Sequence, residues 1–296
     1  MGKLHEVCAI KVDEFYSFMR ERESIRLRKE VGEPWPWTKD KILQTYKFTN
    51  VNREHDRTTR WMREHWTEPN LERPLGEQLF NCAFFRYFGT MEFAEAAGWQ
   101  VAFDNVIVRK QVTDLAKVRL ANKQRVFTGA YVITNQGISA PKQEVVCELF
   151  LLPLWNAVDD LCKLAQSSRS WKVVANELMK LTGFGGSGFM AKEVLQDAIH
   201  TPVLENLEDR NTWCPIGPGA RRGLNRVFSR EIKAKASFNQ MLDEMIELYE
   251  HRDKHWDIFY TTLDLHCIQF QLCEFDKYER VRLGQGRPRS RYKRRD

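Results

Sequence analysis

Residues 213–226, WCPIGPGARRGLNR, put three glycines, two prolines and three arginines into fourteen positions with few apolar side chains to bury. Glycine lets a backbone approach a ligand, proline fixes its path, and the forked donors of Arg221 and Arg222 match phosphate or carboxylate oxygens. The stretch therefore reads as a loop built for an anion; a Pro/Gly turn with solvated arginines is the plainer alternative. A second glycine cluster, LTGFGGSGF at 181–189, separates helical spacing over 170–180 from helical spacing that resumes through 190–199. Helix, glycine hairpin, helix would leave unpaired amides at the start of the second helix, where the dipole also favours an anion. Gly183, Gly185 and Gly186 could thus seat a nucleic-acid backbone, or simply make a tight turn. The cluster cannot be laid on Gly-x4-Gly-Lys-Ser/Thr, because Phe189 and Met190 stand where the Lys and Ser/Thr would be.

Further polar side chains gather over 46–66, YKFTNVNREHDRTTRWMREHW, where helical spacing would set Arg53, Asp56, Arg57 and Arg60 on one face, with Asn50 and Asn52 before them. Such a face suits base and phosphate contacts or a solvated salt-bridged surface. In LCEFDKYER (272–280), Glu274, Lys277 and Tyr278 fall three or four residues apart on one helical face.

These residues need a scaffold, and the chain predicts a mostly α fold. Residues 13–30 have amphipathic spacing, 75–97 is aromatic and helical with Phe80, Phe84, Phe85, Tyr87, Phe88 and Phe93 as core, and long helices are expected over 229–253 and 262–280. One or two buried helices broken near Pro153 account for 144–166. The β-branched runs 99–112 and 126–139 suggest short strands or extended loops. One helical domain over 1–281, with an amino-terminal subregion at about 13–66, and a flexible basic tail at 282–296 are the expected organisation.

The 296 residues carry a formal charge of +6, and the last fifteen hold seven Arg or Lys against one Asp. The tail thus supplies the excess and would bind a polyanion through Arg289, Arg291 and Lys293, with salt-sensitive affinity, or merely solubilise the chain's end. No run is long and apolar enough for a membrane span and MGKLHEVCAIKV has no signal-peptide core, so an intracellular protein is expected. Seven dispersed cysteines read as free thiols in a reducing compartment. No CxxC pair occurs, and His251 with His255 is more simply a solvated helix face than a metal pair, so no metal site is expected.

Taken together, residues 15–61, LTGFGGSGFMAKEVLQDA, WCPIGPGARRGLNR and LCEFDKYER resemble the phage amino acid:DNA transferases, first described computationally as α-glutamyl/putrescinyl thymine pyrophosphorylases. Their amino-terminal part resembles the helical domain found with phage 5-hydroxymethyluracil DNA kinases. The resemblance covers roughly 13–292 and implies a helical domain related to helix-hairpin-helix DNA glycosylases, with Gly183 to Gly188 as the hairpin. Ser187 stands near the place of the Schiff-base lysine of bifunctional glycosylases and the four-cysteine cluster is missing, which disfavours a lyase. A monofunctional glycosylase on a modified thymine and a non-catalytic binder of modified DNA remain the rival readings. The missing Walker A loop argues against the kinase itself.

What the resemblance implies is a step of thymidine hypermodification that protects viral DNA from host restriction, in the cytoplasm of the infected bacterium. A kinase would first convert 5-hydroxymethyluracil in double-stranded DNA to its pyrophosphate ester. This chain would then displace pyrophosphate with the amine of a free amino acid, glycine favoured. No cofactor is required, with magnesium at the pyrophosphate left open. In that scheme Gly183, Gly185, Gly186, Ser187 and the basic tail hold DNA. Trp213 or Tyr131 meets a flipped base, and Arg221 and Arg222 clamp the pyrophosphate. Asp209 or Asp197, and after them Glu274 or Asp276, take the proton from the amine. Arg53 or Lys277 holds the amino-acid carboxylate, with Asn50 and Asp56 beside the substrate.

Overall fold

The computed structural model describes residues 6–257 and 259–292, with side chains from residue 11 onward. The chain divides into two compact units, Met1–Asp56 with Asn211–Asp296 (unit 1) and Arg57–Arg210 (unit 2), so unit 1 is assembled from both ends of the sequence. Unit 1 opens with α1 (Glu6–Glu30) and α2 (Lys41–Thr45). Unit 2 contains α3 (Arg57–Met62), α4 (Leu75–Phe88), α5 (Met91–Ala97), α6 (Val106–Ala121), α7 (Lys142–Glu144), α8 (Leu152–Ser168), α9 (Trp171–Leu178) and α10 (Phe189–Ala198). The chain returns to unit 1 as α11 (Pro218–Val227), α12 (Phe238–Glu250), α13 (Arg252–His255) and α14 (Leu265–Arg282). The fold is mostly α. Among the described residues the β pairing is one isolated antiparallel bridge, Tyr46 to Arg291.

Short polar residues start several of these helices by accepting from first-turn amides, as Asp40 does from Ile42 N at 2.7 Å and Asp264 from Cys267 N at 2.7 Å. The same device decides residues 99–112. Their β-branched content suggests extended chain, yet Asn105 accepts from Ile107 N at 2.9 Å and α6 begins there, with Val106 and Ile107 exposed. The per-residue penalty of a β-branched side chain in a helix is a few tenths of a kcal/mol, which a cap offsets. Residues 126–139 are irregular, as expected of an extended loop. Pro153 does not break its helix: a π-helical stretch, Val145–Leu151, leads directly into α8, and Pro153 sits in the first turn of α8.

The expected helix over 46–66 does not form. Residues 46–52 are extended or bent, Arg53–His55 make one 3-10 turn, and Asp56 is extended at φ −72° and ψ 134° before α3 starts. Asn52 and Asp56 compete successfully with helix formation because their side chains accept local amides, Glu54 N at 2.9 Å and Asn50 N at 3.0 Å. Arg53, Asp56, Arg57 and Arg60 therefore share no helical face. The helix expected from 229 begins at Phe238, where Ser237 accepts from Gln240 N at 3.1 Å.

Each unit has its own core. Phe15, Tyr16 and Met19 of α1, Leu224 and Val227 of α11, Met245 and Leu248 of α12, and Ile268, Leu272 and Phe275 of α14 make that of unit 1, all essentially inaccessible to solvent. In unit 2 the aromatic run of α4 is buried as its spacing predicts, Phe80, Phe84 and Phe88 packing with Phe93 and Phe103.

Candidate functional site

The richest chemistry of unit 1 lies where residues 47–51 run along α14. Gln271, Glu274 and Lys277 project from successive turns of that helix and each holds one step of the strand-like segment. Gln271 Nε2 donates to the carbonyls of Asn50 and Val51 at 3.0 and 3.3 Å. Glu274 Oε2 accepts from Thr49 N at 3.2 Å, and Lys277 Nζ donates to the Lys47 carbonyl at 3.1 Å. Asp56 closes the segment from its other end by accepting from Asn50 N. Arg22 of α1 completes the cluster. Its guanidinium lies 5.0 Å from the centre of the Phe48 ring, Lys277 Nζ lies 4.6 Å from the same centre, and Arg22 Nη1 is 3.7 Å from Glu274 Oε2. Glu274 and Lys277 themselves pair at 2.6 Å. Arg53 is buried with its guanidinium 5.4 Å from the Phe270 ring centre.

Burial sets the protonation behaviour of this cluster. It pushes the Asp56 carboxyl up to about 6, the Asn50 amide and the Arg22 charge opposing the rise and the Glu274 charge adding to it. It draws the Arg22 guanidinium down to about 10, with Glu274, Asp56 and Glu23 pulling it back, so Arg22 stays charged at neutral pH. Lys277 is lowered by burial against the pull of Glu274. A carboxylate that titrates near neutrality beside buried cations is a functional-site signal with a physical cause.

The other carboxylates expected as bases hold structure. Asp209 accepts from Ser170 Oγ at 2.6 Å and from the amides of Trp171 and Lys172 at 2.5 and 3.1 Å, which caps α9. Asp197 is buried in a two-point pair with Arg86, whose Nη2 donates to Oδ1 at 2.5 Å and whose Nε donates to Oδ2. Asp276 is buried and takes Arg222 Nε at 2.8 Å and Arg226 Nε at 2.9 Å.

The glycine-rich stretch 213–226 is less a loop than a helix. Only 213–217 is irregular; from Pro218 the chain is α11, and its glycines serve packing rather than ligand approach. A Cβ on Gly219 would lie 2.9 Å from Cys273 Sγ, and one on Gly223 would collide with the Leu272 carbonyl, so this pair lets α11 lie directly on α14. The helix fixes the arginines: Arg221 is exposed and Arg222 is drawn to Asp276. Trp213 is buried against Phe238. In unit 2 Tyr131 is half-buried, donates to the Arg86 carbonyl at 2.5 Å and meets Phe189 edge-on at 5.1 Å between ring centres.

The hairpin between α9 and α10 divides its glycines between two tasks. Gly183, at φ +95°, faces inward, where a Cβ would lie 2.6 Å from Phe150 Cγ and against the Tyr87 hydroxyl. Gly185, Gly186 and Ser187 are exposed, Gly186 has open space around it, and Gly188 offers no side chain to cap the first amides of α10. Of the tail, Arg289 and Arg291 are exposed, and Lys293 lies outside the described residues. The tail is tied down as far as Tyr292, which donates its amide to Thr45 O at 2.9 Å while Lys47 N donates to Ser290 O at 3.1 Å. Tyr292 also stacks on Trp35 with ring centres 5.6 Å apart.

The family model of the 5-hmdU DNA kinase helical domain matches residues 9–287. The chain belongs to that family. A 5-hmdU DNA kinase of Bacillus phage SP10 is 26% identical over 295 residues, an alignment spanning 90% of this chain and 44% of the phage protein. The chain thus covers less than half the length of that relative, and no solved structure matches it. No group of three or more His, Cys, Asp or Glu is placed to hold a metal ion among the described residues. No described helix is long and apolar enough to cross a membrane.

Sequence reasoning reached Asn50, Asp56, Glu274 and Lys277, which the structure gathers, but missed Arg22, Phe48 and Gln271. A signal for Arg22 exists: it continues the row of Phe15, Phe18 and Met19 on the buried side of α1, where a cation is out of place unless it has work to do.

Proposed function

We propose that this helical domain acts on 5-hydroxymethyluracil in phage DNA after phosphorylation, transferring an amino acid through its amine to the exocyclic carbon and releasing pyrophosphate. The family match carries this reading: over 9–287 it takes in all four motifs, and it ties the chain to proteins whose named substrate is hydroxymethyldeoxyuridine DNA. The amine nitrogen forms a bond to the methylene carbon as the carbon–oxygen bond to pyrophosphate breaks, the electron pair leaving on oxygen. The uracil ring assists expulsion from its own methylene, so the protein supplies position and charge. Arg221 is the exposed cation available to the leaving group, and oriented charge of this kind carries much of the rate where negative charge grows. Gly185, Gly186 and Ser187 at the open end of α10, with the basic tail, hold double-stranded DNA. The base is extruded for reaction, since an amino acid cannot reach the carbon within a stack. Glycine remains the favoured donor, the setting is the cytoplasm of the infected bacterium, and the product shields viral DNA from restriction.

A base-excising glycosylase is the less favoured reading. Its water-activating carboxylate would be Asp197, which two Arg86 donors already occupy, or Asp209, which is taken up by the first amides of α9 and Ser170 Oγ. Hydroxymethyluracil DNA treated with a partner kinase, ATP, this protein and mixed amino acids, then digested to nucleosides and weighed, tests the proposal. The expected product has the mass of thymidine plus an amino acid less two hydrogens. Base loss without kinase would make the protein a glycosylase, and DNA retained unchanged would make it a binder.

A further inference from the structure

Two buried side-chain atoms of the unit 1 cluster have no hydrogen-bond partner: Arg22 Nη1 and Gln271 Oε1. Arg22 is 8% exposed and Gln271 fully buried. A buried donor or acceptor left in this state is destabilising, and each marks a point where an incoming group of opposite character is stabilised. The Gln271 amide is fixed by its donation to the Asn50 and Val51 carbonyls, the same segment whose Asn50 amide holds Asp56. The charges around it nearly balance. Arg22 faces Glu274, Asp56 and Glu23, the last of these paired with Arg26 at 2.5 Å, and Lys277 faces Glu274, with Lys47 at the exposed margin. A phosphate dianion would meet two carboxylates here. A ligand with one anionic and one cationic end would find a partner for each.

Resting on the transfer reading, we propose that this cluster is the seat of the free α-amino acid. Arg22 Nη1 takes an oxygen of its carboxylate, Lys277 supports that charge, and Asp56 faces its ammonium. Asp56 accepts one ammonium proton before attack and passes it to solvent. The freed lone pair makes the carbon–nitrogen bond, and the secondary ammonium so formed releases its proton once pyrophosphate has left. Gln271 Oε1 accepts a remaining N–H.

The test is calorimetric titration of the full chain, with hydroxymethyluracil duplex present, against each of the twenty standard amino acids and against inorganic pyrophosphate. At least one amino acid binds, its amine-free counterpart (acetate for glycine) does not, and Arg22→Gln weakens binding tenfold or more. Asp56→Asn removes the pH dependence of binding between 5 and 7. Thermal melts establish that both variants fold, and Arg22→Lys, which keeps the charge but loses the fork, provides an intermediate that does not depend on the larger change. Absence of amino-acid binding, equal binding by folded Arg22→Gln, or displacement by pyrophosphate would overturn the seat. The two proposals fail differently. If amino acids bind through Arg22 but no new nucleoside forms, transfer is wrong and the seat stands. If the nucleoside forms with a KM for amino acid untouched by Arg22→Gln, transfer stands and the seat is wrong.

Discussion

Asp56 Oδ1 accepts the Asn50 amide at 3.0 Å across a turn that excludes most of the solvent from the carboxyl group. That bond and the Arg22 charge favour the ionised form but do not offset the burial, which is why the group is pushed up to about 6 from the ordinary 3.8 of an aspartate. If Asp56 is the base of the proposed transfer, it must be ionised to work, and kcat/KM should fall below about pH 6. In Asp56→Asn that limb should vanish, along with about a hundredfold or more of the rate. A pH–rate profile of the two proteins checks both.

The same shift has a consequence for stability with the opposite sense. Folding raises this acid's pKa, so the folded protein binds its proton more tightly than the unfolded chain between the ordinary 3.8 and about 6. The contribution is fully present below that window and is lost as pH rises through it. Asp56→Asn should therefore flatten the pH dependence of unfolding across pH 4 to 6.5 and leave the variant more stable than the parent above it. Urea melts at several pH values measure this; a steeper dependence in the variant would contradict it.

Gly223 and Gly186 look alike in sequence and should behave oppositely to substitution. An alanine at 223 drives its Cβ into the Leu272 backbone, where no side chain can move aside, and should cost about 3 kcal/mol. At Gly186 there is open space, and only the φ of +71° resists a side chain, for about 1 kcal/mol. Denaturant midpoints of the two variants decide it.

Composition and periodicity make the helices legible where one face is apolar, as in α4 and α14, because burial follows local spacing. They fail over 46–56, where Asn52 and Asp56 satisfy backbone amides with their own side chains and override helical spacing. The candidate site was half legible for a related reason. Glu274 and Lys277 announce themselves by charge and interval, whereas the meaning of Arg22 depends on a partner segment 25 residues or more away along the chain, and spacing carries no information about such contacts. Glycines misled most. Gly219 and Gly223 have the composition of a ligand loop, but what their missing side chains admit is another helix.

Asp197 and Asp209 should separate as stability residues from the chemistry. Asp197→Ala leaves the buried Arg86 charge without its two-point partner and is expected to cost about 3–5 kcal/mol. Asp209→Ala removes the cap of α9 for about 1–2 kcal/mol. Thermal and urea melts check these sizes; a folded Asp197→Ala protein of parental stability would return that carboxylate to the list of candidate bases.

Arg221 and Arg222 are adjacent on α11 but face different tasks. Arg222 neutralises the buried Asp276 together with Arg226, so its loss should first appear in the melting temperature. Arg221 is exposed and has no such duty. If it meets the leaving pyrophosphate, Arg221→Ala should lower kcat about a hundredfold with the melting temperature unchanged. Single-turnover rates on activated DNA, measured beside a melt, distinguish the pair, and a native rate in Arg221→Ala would remove the clamp.

The hairpin offers a prediction that needs no chemistry at all. Ser187 stands exposed just before Gly188 at the amino end of α10, where the dipole and uncapped amides favour negative charge. Replacing it with glutamate satisfies those amides internally, so the fold should be slightly stabilised, by under 1 kcal/mol. The same carboxylate would repel a phosphate seated there. If the hairpin holds the DNA backbone, Ser187→Glu therefore gains stability while losing affinity, and because fewer counterions are displaced, its log Kd against log salt should flatten by about one phosphate's worth. A variant that gained stability and bound DNA with the parental slope would show that the hairpin is a turn and nothing more, leaving the exposed arginines Arg289 and Arg291 as the electrostatic grip.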